Sequence, residues 1–226
     1  MPERTERAGL ERVREGRLSA LQQHLFNLDL TNMDISMDTL KQLREKTGLS
    51  VMQCKKALEE ANGDVAQAEV ILRKRSSSAA EKKGDRELAS GTVASYLHGG
   101  EIGAMVLLSC ETDFVARNPE FPALAREIAM QVAATSPKYT RSEDIDEESV
   151  TAAKAVFSEE VKDKPAEMQE KILDGKMQSY FKDMVLMNQP YIKDDTKTVQ
   201  QLVDEASQKF GERVEVSKFV RFSTRG

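Results

Sequence analysis

The longest apolar stretch in the chain, Ile102 to Cys110, is broken only by Gly103 and Ser109. It is far short of the roughly 20 residues that span a bilayer, and a run of this length bounded by turn residues suits a buried strand. The turn lies just ahead of it, at His98-Gly99-Gly100-Glu101, and before that Thr92, Ala94 and Tyr96 alternate with Val93, Ser95 and Leu97. Two strands joined in this way read as a hairpin. Arg213 to Phe222 reads as a further strand that pairs with the hairpin, predicting a three-stranded antiparallel sheet with helices packed on one side.

Helical spacing fills the rest of residues 88–226. Asn118-Pro119 forms a cap and first-turn proline for a helix whose Phe121, Leu124, Ala125, Ile128, Ala129 and Val132 make one stripe, ending by Pro137. Further helices are expected over about 149–161, 165–173 and 176–187, the last with Met177, Tyr180, Phe181, Met184 and Val185 on one side. Thr198 and Gln201 match a capping box for a final helix carrying Leu202, Val203, Ala206 and Phe210 and closed by Gly211.

Residues 37–72 carry a different pattern, three short helices in a small bundle. Leu40 and Leu43 share a face before Gly48; Ser50 caps a helix with Val51, Cys54, Ala57, Leu58 and Ala61 at helical spacing; Asn62-Gly63 turns; Asp64 caps a third with Val65, Ala68, Ile71 and Leu72 inward. A core this small is marginal alone and suits a docking unit. Residues 73–87 are polar, small and more basic than acidic, and are expected to form a solvated linker. Residues 1–36 mix five Arg with six Asp/Glu, which fits neither a transit peptide nor a secretory signal. They read as a poorly ordered extension, and Met33 and Met37 stand where the organised pattern begins, as alternative starts.

The expected class is thus α+β: a three-helix module, a linker, and a core of sheet and helices. Of 226 residues, 39% are hydrophobic, enough for one ordinary core plus a satellite. With 33 Lys and Arg against 38 Asp and Glu, no basic excess exists to follow a phosphate backbone, so direct nucleic-acid binding is not expected. No membrane span is expected either. Two isolated cysteines, Cys54 and Cys110, fit a reduced, cytoplasmic chain. Only His24 and His98 are available, so a multi-histidine metal site cannot be built, and neither phosphate-cradling glycine loops nor a nucleophile elbow occur. No cofactor and no metal are expected.

What chemistry remains lies between the apolar strand and the helix after it, at Glu111-Thr112-Asp113-Phe114-Val115-Ala116-Arg117-Asn118. A short connection there would raise Asp113 and Phe114 off the sheet edge, an anion beside an aromatic wedge. The alternative is that Thr112 or Asp113 caps a helical turn and Phe114 packs inward. A triad of His98 with Ser95 and a distant Asp can be drawn, although His98 stands in a turn. The acidic runs Glu143-Asp144, Asp146-Glu147-Glu148 and Asp194-Asp195 read as solvated loops without Gly-spaced ligands. The methionines at 177, 184 and 187 read as adaptable packing or a soft contact surface.

Several segments at consistent separations carry a resemblance. Leu40-Lys41-Gln42-Leu43-Arg44-Glu45-Lys46-Thr47-Gly48-Leu49, Met52-Gln53-Cys54-Lys55-Lys56-Ala57-Leu58 and Asn62-Gly63-Asp64 resemble the N-terminal module of the translation elongation factor Ts family. Gly91-Thr92-Val93-Ala94-Ser95-Tyr96, the run from Glu111 to Asn118, Gln189-Pro190-Tyr191 and Lys218-Phe219-Val220-Arg221-Phe222 resemble the rest, so that about 37–222 is covered. The resemblance implies a guanine-nucleotide exchange factor for elongation factor Tu, not an enzyme in the covalent sense, with a ubiquitin-associated-like module. It implies that Asp113 and Phe114, flanked by Thr112, Val115, Arg117 and Asn118, enter the partner's G domain and disturb the Mg²⁺ and phosphate site. It also places Leu49, Val51 and Met52 near the module's contact with the same domain. Longer members repeat half of the core and add a helical hairpin; this chain is expected to do neither, which implies a homodimer supplying the second half.

Overall fold

The computed structural model describes residues 35–162 and 165–225, and the expected extension at 1–36 lies outside them apart from its last two residues. The chain divides into two units between Leu72 and Arg73. The first contains α1 (Met37–Thr47), α2 (Val51–Glu60) and the beginning of α3 (Val65–Glu81). Each start is capped by a side-chain oxygen that takes an otherwise orphaned N–H: Ser36 accepts from Asp38 and Thr39, Ser50 from Gln53 in a reciprocal box, Asp64 from Gln67. Gly48 ends α1 at φ 68°, a left-handed conformation that glycine adopts without a Cβ clash. Leu43, Cys54, Ala57, Leu58 and Ala68 are fully buried between the helices.

Residues 73–81, expected as a tether, instead continue α3 to Glu81. Low hydrophobicity did not prevent packing within the second unit, because short side chains approach closely and their hydroxyls find partners. The Ser76 hydroxyl donates to Gln208 and Ser77 to the Asp204 carboxylate at 2.7 Å, while Lys83 Nζ donates to the Ser207 carbonyl at 2.7 Å.

The second unit continues with β1 (Ser90–His98), β2 (Ile102–Cys110), α4 (Asp113–Ala116), α5 (Glu120–Thr135), α6 (Glu147–Val161), α7 (Ala166–Lys182), β3 (Pro190–Tyr191), β4 (Asp194–Thr198), α8 (Val199–Phe210) and β5 (Val214–Ser223). β1 and β2 pair in register from Ser90↔Cys110 to His98↔Ile102, around Gly99 and Gly100 at φ 58° and 75°. β5 pairs antiparallel with β2, giving the order β1-β2-β5 with the most apolar strand in the centre. Gly91 is required by proximity: a Cβ there would stand 2.5 Å from the Leu108 carbonyl oxygen.

Alternation along β2 sends Ala104, Val106, Leu108 and Cys110 into the core, where α5 meets them with Phe121, Ala125, Ile128, Ala129 and Val132. Phe121 stands edge-on to Phe210 of α8 at 5.8 Å. An amide sits in the middle of this apolar core: Gln131, wholly buried, donates to Gln189 Oε1 and the Pro190 carbonyl and accepts from the Ile192 N–H at 2.9 Å. It ties the segment before β3 to α5.

The expected helix boundaries are corrected here. The helices expected at 165–173 and 176–187 are one, α7, which runs through Gly175; that glycine is open to solvent, so the helix accepts its cost of about 1 kcal/mol relative to Ala. α6 and α7 pack against each other, with Phe157 against Tyr180 and Glu160 paired to Lys176. The β3–β4 ribbon, too short for a periodic signal, was not anticipated.

Candidate partner-binding site

The connection between β2 and α5 is built from the inside outward. Cys110 closes β2 in the core, and its thiol is pushed up from the ordinary range by burial and by the nearby Glu212 carboxylate. Thr112 is extended at φ −126°, ψ 158°, and α4 then makes a single turn: the Arg117 N–H reaches the Asp113 carbonyl and the Asn118 N–H the Val115 carbonyl, both at 3.0 Å. Asn118 Oδ1 accepts the Glu120 N–H at 3.0 Å and starts α5.

One turn of helix can turn only part of its circumference to the core. Val115 takes that place at 4% exposure, which leaves Phe114 outside at 82%. Inward packing of Phe114 does not occur. Its ring is more exposed than any other large apolar side chain among the described residues. Beside it Asp113 forms an exposed ion pair with Arg117 at 3.1 Å, an arrangement worth little to stability. The site residues named from the sequence therefore separate by position: Asp113, Phe114 and Arg117 face solvent, Val115 anchors the turn and Asn118 caps the start of α5. Thr112 occupies the N-cap position, but its hydroxyl donates to Glu212 rather than capping α4. In the first unit Val51 and Met52 are exposed at the start of α2, whereas Leu49 is part of the three-helix core.

Two glutamates hold the base of this turn: Glu111 lies in the segment singled out from the sequence, though without this role, and Glu212 was missed. Glu212 Oε2 accepts the N–H groups of Glu111 and Thr112 at 3.1 and 3.0 Å. In return Glu111 accepts the Arg213 N–H and an Arg86 Nη1 contact at 3.1 Å. Partial burial works to raise the Glu111 pKa, but the hydrogen bonds from Arg213 and Arg86 and the charge of Lys83 outweigh it and hold the carboxyl below the ordinary range. Glu212 and Arg213 lie some hundred residues from the turn, so no local spacing could have announced them.

Other candidates resolve into structure. Ser95 and His98 belong to opposite faces of β1, which removes the triad; His98 instead stacks on Tyr96 and meets its hydroxyl at 3.2 Å. The acidic loops serve turns and caps: Asp194 accepts from Thr196, Asp144 from the Arg141 N–H, and Asp146 from the Ser149 N–H that opens α6. Met187 is core. Among the described residues no cluster of three or more His, Cys, Asp or Glu could hold a metal ion, and no helix is long and apolar enough to cross a membrane. A cleft of about 710 Å³ near Ser77, Met177, Phe181 and Asp204 shares no lining residue with the projecting turn.

An anchored turn displaying an exposed aromatic ring beside an exposed ion pair is the kind of surface feature found where proteins meet other proteins. The comparisons make the class specific. The sequence profile of the family described as Elongation factor TS matches residues 30–225. Elongation factor Ts of Thermotoga petrophila is 47% identical over 191 residues, covering 84% of this chain and 96% of that protein. The proteins of the same name from Thermodesulfovibrio yellowstonii and Coprothermobacter proteolyticus are 46% and 42% identical, each across 84% of this chain and 96% and 98% of their own lengths. The chain belongs to the elongation factor Ts family. Its role is accordingly that of a nucleotide exchange factor in translation elongation, not a catalytic enzyme in the usual sense.

Proposed function

We propose that this chain binds elongation factor Tu in its GDP-bound form and drives GDP out by pressing Phe114 and Asp113 into the G domain, where they disturb the Mg²⁺ and phosphate site. The single observation behind this reading is the Phe114 ring, 82% exposed on a turn that Val115 fastens to the core. An apolar ring left in water forgoes about 1.5–3 kcal/mol of burial, and that free energy becomes available when a partner covers it. No covalent step is needed. If the chain binds best to a partner conformation with a distorted nucleotide site, linkage requires that GDP and the chain weaken each other equally. Coupling of about 1–3 kcal/mol is usual, so one ring can supply a useful share.

In this reading the three-helix unit is a ubiquitin-associated-like docking module. Val51 and Met52 touch the same G domain, and Leu49 supports them from beneath. Thr112, Arg117 and Asn118 complete the wedge. A homodimer is also proposed, supported by the outer face of the sheet, where Val93, Leu97, Met105, Val220 and Phe222 lie open to solvent on the side opposite the helices. The protein works in the cytoplasm, without contacting nucleic acid or membrane directly.

The test is stopped-flow release of labelled GDP from elongation factor Tu. Acceleration by the chain, greatly reduced in Phe114→Ala at equal folded concentration, is the expected result. Binding without acceleration would instead mark an adaptor that depends on residues 37–72 alone.

A further inference from the structure

Phe114 is so exposed that its own subunit gives the ring almost no side-chain support, so the direction in which it points is set through the backbone of α4. That backbone is fastened from within by Val115, with Ala116 partly buried against the same core, so what remains to be fixed is the chain on either side. The Asp113–Arg117 pair is exposed and joins two residues of the same turn, so it does not tie the turn to the core. The chain entering the turn is held by Glu212, whose carboxylate takes the N–H groups of Glu111 and Thr112 and the Thr112 hydroxyl. Glu212 is itself held in place. It comes directly after Gly211, whose φ of 75° reverses the chain out of α8, and the next residue, Arg213, gives its N–H to Glu111 and its guanidinium to the Arg86 carbonyl at 2.7 Å.

We propose that Glu212 is a positioning residue for nucleotide exchange: by clasping the entry to α4 it aims Phe114 at the partner. The proposal rests on the reading of Phe114 as the wedge. Hydrogen bonds rather than net charge carry the effect, because the acceptors face two backbone amides and a hydroxyl. Displacement of about 1 Å at a working group can cost as much as a hundredfold, so loss of the Glu212 clasp is expected to cost about tenfold.

The test is a double-mutant cycle in the full-length chain, read as labelled-GDP release from elongation factor Tu across a range of exchange-factor concentrations. Glu212→Ala is expected to lower the saturating release rate about tenfold while moving the half-saturating concentration less than about twofold. Glu212→Gln should restore the rate to within about twofold, since its amide oxygen can accept both N–H groups and its NH₂ can face Thr112 Oγ1. In a Phe114→Ala background, Glu212→Ala should cost nothing further, because there is no ring left to aim. An equal loss in both backgrounds, no loss in either, or failure of Glu212→Gln to rescue overturns the proposal. If Glu212→Ala does not fold, Glu212→Asp, which keeps the charge but shortens the reach, carries the same cycle. Should Phe114→Ala exchange normally, the wedge reading itself falls; should Phe114→Ala be slow and Glu212→Ala normal, only the positioning role falls.

Discussion

Phe114 and Phe121 are seven residues apart and have opposite fates. Phe121, in the first turn of α5, is wholly buried and lies edge-on to Phe210; Phe114, in the one-turn helix just before it, is left in water. The difference is one of available circumference. A sixteen-residue helix can turn a full apolar stripe toward the sheet, whereas a four-residue turn has room inward only for Val115 and part of Ala116. Thus the fold uses apolar surface for its own stability in α5 and displays it in α4. Exposed ring and buried ring make separable predictions.

The largest effect is expected from Phe121→Ala, which empties a filled core position and should cost about 3–5 kcal/mol in denaturant unfolding, taking exchange activity down with the folded fraction. Phe114→Ala should leave unfolding within about 0.5 kcal/mol of the parent, yet slow GDP release about tenfold or more. If its stability fell as far as that of Phe121→Ala, the contrast would break. The outer sheet face extends the comparison: Leu97→Ser with Phe222→Ser should leave the thermal midpoint nearly unchanged and shift sedimentation toward monomer, while an unaltered dimer would remove that face from the interface. The smallest effect belongs to Asp146, an exposed cap. The Tyr139 hydroxyl, then the Ser149 N–H and hydroxyl, hold its carboxyl down at about 2 from an ordinary 3.8. A lowered native pKa means stability present above about 3.8 and lost as pH falls toward 2. Asp146→Asn should therefore lower the thermal midpoint slightly at pH 7, with the gap closing between about pH 4 and 2.

Features made by neighbours in the chain were legible. The boxes at Ser50/Gln53 and Thr198/Gln201, the hairpin at Gly99-Gly100, and the stripe of α5 all rest on contacts within a few residues. What failed to show needed distant partners. Residues 73–81 look like a tether until Gln208 and Asp204 meet their serines, and Gly175 looks like a stop until α7 continues past it. At the site, spacing named the loop, but pattern alone favours Phe114 packed inward, as a large aromatic beside an apolar strand usually is, and the structure turns it outward. The family resemblance pointed outward; the clasp of Glu111 and Glu212, a hundred residues apart, had no trace in either neighbourhood.

The buried Gln131 has a further consequence. A carboxamide is unlike at its two ends, and here the NH₂ serves two oxygens while the oxygen serves an N–H. Such a junction is polarised, as a plug is in its socket. If α5 slipped by one residue, hydrocarbon would stand where these complementary groups now meet, leaving several of them dry and unmatched. The Gln189-Pro190-Tyr191 strip thus acts as an alignment key, enforcing one seating of the helix from which α4 hangs.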